Sequence, residues 1–340
     1  MSVANPPRET ARPAEEDAAL ATVAGETTEP TPAPVVTRIR PPRGWQGINA
    51  RELWQFRELI YFLAWRDVKV RYKQTLLGAA WAILQPLLMM VIFTIFFAQL
   101  AGVPSGGIPY PLFAYAGLLP WTFFATAIAG AGNSVIGSER LITKIYFPRL
   151  GVPFAAVGAA VVDFVIALGL LIAMMVYYHD RVAPGPGLLL VPVIFGVILL
   201  AGLGVGTLLA ALNVAYRDFR YVIPFLVQIW MFATPSVYMQ VGEPPRATAE
   251  RPAAAPAAAG TGAGARPEGG GPSRRPLGPA VRAALALNPM TGLITGFRAA
   301  VLGGRIPWGE LAGSSACAVL AFLAGCLYFR RVEDAFADII

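Results

Sequence analysis

From Leu76 to Leu100 the chain runs for 25 residues without an ionisable side chain. About 20 apolar residues at a helical rise suffice to cross the hydrocarbon core of a bilayer, so Gly78–Leu100 reads as a transmembrane helix. Immediately before it stand Arg66, Asp67, Lys69, Arg71 and Lys73. Lys and Arg close to the end of a span hold that end in the cytosol, so the basic cluster and the amino terminus are expected inside. The topology of everything downstream is counted from this point.

Composition carries the same message through the whole chain. Hydrophobic residues make up 56% and charged residues 14% of the 340, with a mean hydropathy of +0.57. Soluble domains carry about 25% charged residues, so a polytopic membrane protein is indicated. The net charge of +7 lies in loops and in a low-complexity insert. No basic patch interleaved with aromatics accompanies it, which argues against a nucleic-acid partner. Cys317 and Cys326, nine positions apart in one apolar run, fall on opposite faces of a helix and read as inert buried thiols.

Residues 1–49 are rich in Pro, Ala, Glu and Thr and read as a disordered cytosolic tail without the apolar core of a signal peptide. Over 50–76, Leu53, Phe56, Ile60 and Leu63 recur at helical spacing. This is either an amphipathic helix in the membrane interface or a soluble helix packed on a partner. Further spans are expected at about Leu112–Asn133, Val152–Tyr178, Leu188–Val214, Val222–Met239 and Leu311–Phe329. The second carries small residues at four-residue spacing (ATAIAGAG) and the fourth pairs Gly202 with Gly206, both suited to close helix packing. Residues 242–279 are Pro, Ala, Gly and Arg, an expected disordered external insert. Residues 280–308, interrupted by Pro289 and several glycines, suggest short re-entrant or interfacial helices. The connections expected inside hold Arg140, Lys144, Arg149, Arg217, Arg220, Arg330 and Arg331, whereas the short outer loops hold only Arg181. An all-α protein with six spans and both termini in the cytosol satisfies this asymmetry.

Chemistry-bearing motifs are few. None of the three lysines, Lys69, Lys73 and Lys144, follows a glycine, so the chain has no P-loop. One histidine and no clustered thiols leave no common transition-metal site. Asp163 is a carboxylate about eleven residues into the third span. It is either functional or a packing residue, protonated or paired with a polar group of another helix. Tyr115, Trp121, Phe124, Trp230 and Tyr238 gather near the outer ends of two spans. They could stack on sugar rings along a path or form an ordinary aromatic belt. In the basic segment Ser138–Arg149, Glu139 suits the positive end of a short helix. Arg140 and Lys144 are i,i+4 neighbours, and Leu141 with Ile145 makes an apolar face.

The order of the blocks WRDVKVRYKQTLLGAAWAILQP (Trp65–Pro86), GLLPW (Gly117–Trp121), ITKIYFPR (Ile142–Arg149), NVAYRDFRYVIPFL (Asn213–Leu226) and NPMTGLITGFR (Asn288–Arg298) resembles a known family. It is similar to the transmembrane permease subunits of polysaccharide ABC exporters, the type-2 permeases that export O-antigen, teichoic acid or capsule chains. The resemblance implies a homodimer in the inner membrane above two copies of a separate ATPase. No cofactor is expected in this chain, since ATP and magnesium belong to the partner. A lipid-linked polysaccharide would be the substrate, with membrane lipids around it. Segment 138–149 would be the coupling helix on the ATPase through Glu139, Arg140, Leu141, Lys144 and Ile145; a loop held on anionic lipid is the other reading. Residues 280–308 would form an external gate. Export of a lipid or drug, an ion-coupled secondary transporter and a membrane-embedded glycan enzyme are the remaining classes; missing carboxylate clusters disfavour the last.

Overall fold

The computed structural model describes residues 50–73, 80–100, 102, 107–144, 147–180, 185–234, 288–333 and 336. The expected N-terminal tail 1–49, the insert 242–279, and residues Ile145 and Tyr238 lie outside this set. Among the described residues the protein is all helix, without strands. Its α-helices are α1 (Ala50–Gln55), α2 (Arg57–Lys73), α3 (Ala80–Phe93, continued by a π-helical stretch Thr94–Leu100), α4 (Tyr110–Gly137), α5 (Glu139–Lys144), α6 (Gly151–Tyr177), α7 (Val191–Ala215, entered through a 3-10 turn Pro186–Leu190), α8 (Phe219–Phe232), α9 (Pro289–Leu302) and α10 (Trp308–Val332). Prolines stand in the first turns of α4, α7 and α9, where a missing N–H costs nothing and a fixed φ favours helix.

Five of these stretches are long and apolar enough to cross a membrane: Ala80–Leu100, Tyr110–Gly137, Gly151–Tyr177, Pro186–Ala215 and Trp308–Val332. Their ends fall within a few residues of the expected spans. The expected crossing at 222–239 is different: its described helix, α8, has 14 residues, about 21 Å at 1.5 Å per residue and short of the ~30 Å hydrocarbon core. Of the stretch 280–308, the described residues 288–308 hold the 14-residue helix α9, most of it buried.

The expected amphipathic helix is broken at Phe56 into α1 and α2. Leu63 and Val68 are buried, but Tyr61, Phe62, Trp65 and Val70 are exposed, so apolar side chains surround α2 rather than forming one stripe. Small residues set its position. A methyl group on Gly151 would lie 3.1 Å from Ile60, and one on Gly158 would lie 3.4 Å from Ala64. The two helices therefore run alongside each other in the same direction, from the start of α6 to its middle.

Close approach also organises the centre. A methyl on Gly206 would lie 2.6 Å from the Ala131 methyl, and one on Gly202 would lie 3.3 Å from Ala127. The two small-residue patterns expected to pack thus pack on each other, α7 against α4. On the other side of α7, a methyl on Gly325 of α10 would stand 2.0 Å from the Gly204 carbonyl. Two apolar clusters result. One fills the bundle around α4, with Tyr115, Phe124, Ile198 and Phe297 at its centre. The second closes one end around Val135, Ile142, Phe147, Leu150, Cys326 and Phe329.

Candidate functional site

At the junction of α4 and α6 the short helix α5 starts where α4 ends. The Ser138 N–H closes the last turn of α4 on Val135, and its carbonyl accepts from the N–H groups of Leu141 and Ile142. Ile142 is buried in the end cluster, and Leu141 is half-buried against it. Glu139, Arg140, Thr143 and Lys144 are exposed, with the Thr143 hydroxyl donating to the Glu139 carbonyl at 3.0 Å. The apolar side of α5 thus faces its own protein, and the outward side is polar and basic. Arg149, just beyond, donates to the Glu333 carbonyl. The Arg330 guanidinium joins Glu333 at 3.0 Å and lies 3.8 Å from Glu52. α1, the end of α10 and the chain leaving α5 therefore meet in one charged knot, and no local sequence pattern announces it.

A second arrangement lies between α2, α3, α4 and α6. Asp163 accepts hydrogen bonds from Arg71 and from the Tyr72 hydroxyl, residues 92 and 91 positions away. Burial, then the bond to Asp163, raises the Tyr72 phenol above its ordinary range. These groups line a cavity of about 360 Å³ with Trp81, Ala82, Gln85, Pro86, Thr122, Phe123, Thr126, Ala160, Phe164 and Ala167. Trp81, Ala82 and Gln85 belong to the first two turns of a 21-residue span that has no length to spare. By contrast, α4 and α6 have 28 and 27 residues, about 42 and 40 Å, and overhang a ~30 Å core. Asp163, residue 13 of the 27 in α6, stands at mid-helix, level with the middle of α4 and beside the first turns of the 21-residue span. Of the other basic residues, Arg66 is engaged by Asp67 at 2.9 Å and Lys69 lies 5.6 Å from the Trp65 ring centre.

The aromatic candidates come together inside the bundle. Trp121 and Phe124 are 5.8 Å apart, and Phe124 meets Trp230 edge-on at 5.1 Å. Tyr115 is fully buried and donates to the Ala167 carbonyl at 2.9 Å. The Trp230 indole N–H donates to Asn288 at 3.0 Å. Asn288 also caps α9 by accepting from Met290 N–H at 3.0 Å and donates to Thr234 at 2.8 Å. The Asn-Pro pair opening α9 was a legible cap signal; the bond to Trp230 was not. Buried Arg298, whose guanidinium lies 3.8 Å from the Phe113 ring centre, had no local sequence signal.

Among the described residues the protein is all helix with several apolar helices of membrane length, which makes it a multi-pass membrane protein. Residues 58–241 match the ABC-2 type transporter family, and the chain belongs to that family. The chain is similar to the O-antigen export system permease protein RfbA of Myxococcus xanthus, 31% identical over 293 residues, 85% of this chain and 98% of the relative. An O-antigen export system permease protein RfbA of Klebsiella pneumoniae is 29% identical over 182 residues, 53% of this chain and 69% of the relative. The family read from the ordered sequence blocks is thereby shown, and with it a membrane permease subunit of the inner membrane; the family implies a separate ATPase partner.

Proposed function

We propose that the chain is the permease subunit of an ATP-driven exporter that moves a lipid-linked polysaccharide out across the inner membrane. The observation that carries this reading is the likeness to an O-antigen export permease along 98% of that relative's length. Two copies of the permease would work above two ATPase subunits. Each copy would cross the membrane six times, α8 with the residues after it forming the fifth crossing and both termini lying inside. The coupling element is the exposed basic side of α5. Asp163, the carboxylate that an ion-coupled mechanism would draw on, is engaged by Arg71 and Tyr72, which favours the ATP-driven reading.

The test is co-purification of the ATPase with the wild-type permease and with the Arg140→Gln/Lys144→Gln double variant, together with surface polymer. Exposed charge pairs contribute about 0.2–1 kcal/mol each, so the double variant is expected to weaken association by about two- to thirtyfold at low salt, with export falling in parallel. Export that survives an ATPase inactivated in its nucleotide site would overturn the reading. Because α5 buries its apolar side in its own chain, salt should weaken the association as the double variant does. A lipid-pinned loop would instead show unchanged co-purification and altered dependence on anionic lipid.

A further inference from the structure

At the end of the bundle remote from α5, a cavity of about 350 Å³ opens between the 3-10 turn leading into α7, the end of α9 and the start of α10. We propose that it binds the headgroup of an anionic phospholipid, with the phosphate on Arg305. The leaflet concerned is the outer one if the topology proposed above holds; the binding itself does not rest on that reading.

Level comes first. Pro186 and Trp308, which both line the cavity, are the first residues of the spans Pro186–Ala215 and Trp308–Val332. Arg330 lies in the last turn of α10, and at 1.5 Å per residue about 33 Å of helix separates it from Trp308. With Arg330 at one edge of a ~30 Å hydrocarbon core, Trp308 stands at the other edge, among the headgroups. Trp308 is 62% exposed, as suits an indole at that level. Leu188, Leu189 and Val193, the next large residues into the membrane, are exposed too and offer a surface for acyl chains.

Charge comes second. Arg305 lines the cavity and is exposed, and among the described residues its guanidinium has no hydrogen bond or ion pair. No carboxylate lines the cavity, and Glu310 in the first turn of α10 is exposed outside it. A guanidinium holds a phosphate through two parallel N–H donors. Phosphatidylglycerol brings that phosphate with an uncharged glycerol. An ethanolamine or choline headgroup would instead bring a cation beside Arg305, with no carboxylate to receive it. Shape comes third. Gly185, Gly187, Gly303 and Gly304 line the cavity without side chains. Gly303 ends α9 in a left-handed turn at φ 73°, and a methyl group on Gly187 would lie 3.3 Å from the Ala300 carbonyl oxygen. The three segments therefore close on one another through backbone and leave the space beside Arg305 unfilled. About 350 Å³ is room for roughly a dozen water-sized groups, and a phosphoglycerol has about ten heavy atoms.

Binding is read on the purified full-length chain without its ATPase, so the outcome is separate from what is exported and from which leaflet supplies the lipid. The protein would be extracted in mild detergent and incubated with phosphatidylglycerol, phosphatidylethanolamine or phosphatidylcholine. Retained lipid would be counted by native mass spectrometry. The wild type should retain phosphatidylglycerol preferentially. Arg305→Gln, a change at an exposed side chain, should lose about tenfold, as expected from one charge-assisted hydrogen bond. Gly185→Leu is the steric test. Gly185 has an ordinary extended backbone (φ −95°, ψ 179°), and a methyl group there would meet only the Gly303 Cα, at 3.9 Å. The larger side chain should fill the cavity, leave Arg305 in place, and lose the lipid while melting like the wild type. Equal retention of phosphatidylethanolamine or phosphatidylcholine would overturn the anionic assignment. Undiminished phosphatidylglycerol on either variant would place the lipid on another basic surface and overturn the site. Full displacement by equimolar glycerol phosphate would overturn the lipid and leave a site for a soluble anion.

Discussion

Asn288 ties the end of α8 to the start of α9. Its side-chain oxygen serves both the Met290 N–H and the Trp230 indole, while its amide reaches Thr234. Asn288→Ala removes the α9 cap and leaves a half-buried indole N–H to find another acceptor. The cap alone contributes about 0.5–2 kcal/mol, and the stranded donor adds a further cost of about 1 kcal/mol. A clear fall in the detergent melting temperature is expected. Asn288→Asp keeps the acceptor and should recover most of it; equal losses in the two variants would contradict the acceptor role. Tyr115→Phe is the smaller case. It removes one buried hydrogen bond to the Ala167 carbonyl, worth about 1 kcal/mol. Its melting shift should be modest, and export should persist if Tyr115 serves packing; export lost with unchanged melting would return it to the glycan path.

Between elements, contact is set by what is missing from the side chains. Gly325 and Gly204 bring the backbones of α10 and α7 together, and a methyl on Gly325 would sit 2.0 Å from a carbonyl oxygen that cannot rotate away. Gly325→Ala must push the helices apart, at a cost of about 1–3 kcal/mol typical of overpacking. Gly196, on the same α7, is open: a methyl group there would meet no atom within 4 Å. Gly196→Ala should therefore be neutral or slightly stabilising, since glycine in a helix interior is about 0.5–1 kcal/mol worse than alanine. The comparison is a thermal melt of the two variants side by side. A Gly325→Ala melt as neutral or raised as that of Gly196→Ala would show that helix propensity, not close approach, governs the site. The spacing of Gly202 and Gly206 and of the small residues of α4 announced close packing, but the partner of each helix emerged only from the fold, and Gly325 carried no such signal.

At the scale of the molecule, the proposed six-crossing topology would put some segments on the side of the ATPase and others outside. With Cys317 and Cys326 replaced by serine, single cysteines at Gly262, Thr143 and Arg217 divide the possibilities. An impermeant thiol reagent applied to intact cells whose outer membrane has been opened should label position 262 and spare 143 and 217. Labelling at Thr143 from outside would invert the bundle and remove α5 from any cytosolic ATPase.

Local composition alone determined that the protein crosses the membrane, roughly where each long helix runs, and which helices can approach closely. A run of apolar residues is expelled from water whatever surrounds it. The ordered motif blocks were sufficient to identify the family. Tertiary structure decided the partnerships: Arg71 and Tyr72 on Asp163, Trp230 on Asn288, and Ile142 turned into its own bundle. In a membrane, lipid tails are as apolar as neighbouring side chains, so no polar stripe marks which face of a helix meets another. Counting along α6 places Asp163 at mid-helix, but its partners were hidden for a related reason: only packing brings the end of α2 beside it, where Arg71 and Tyr72 reach it.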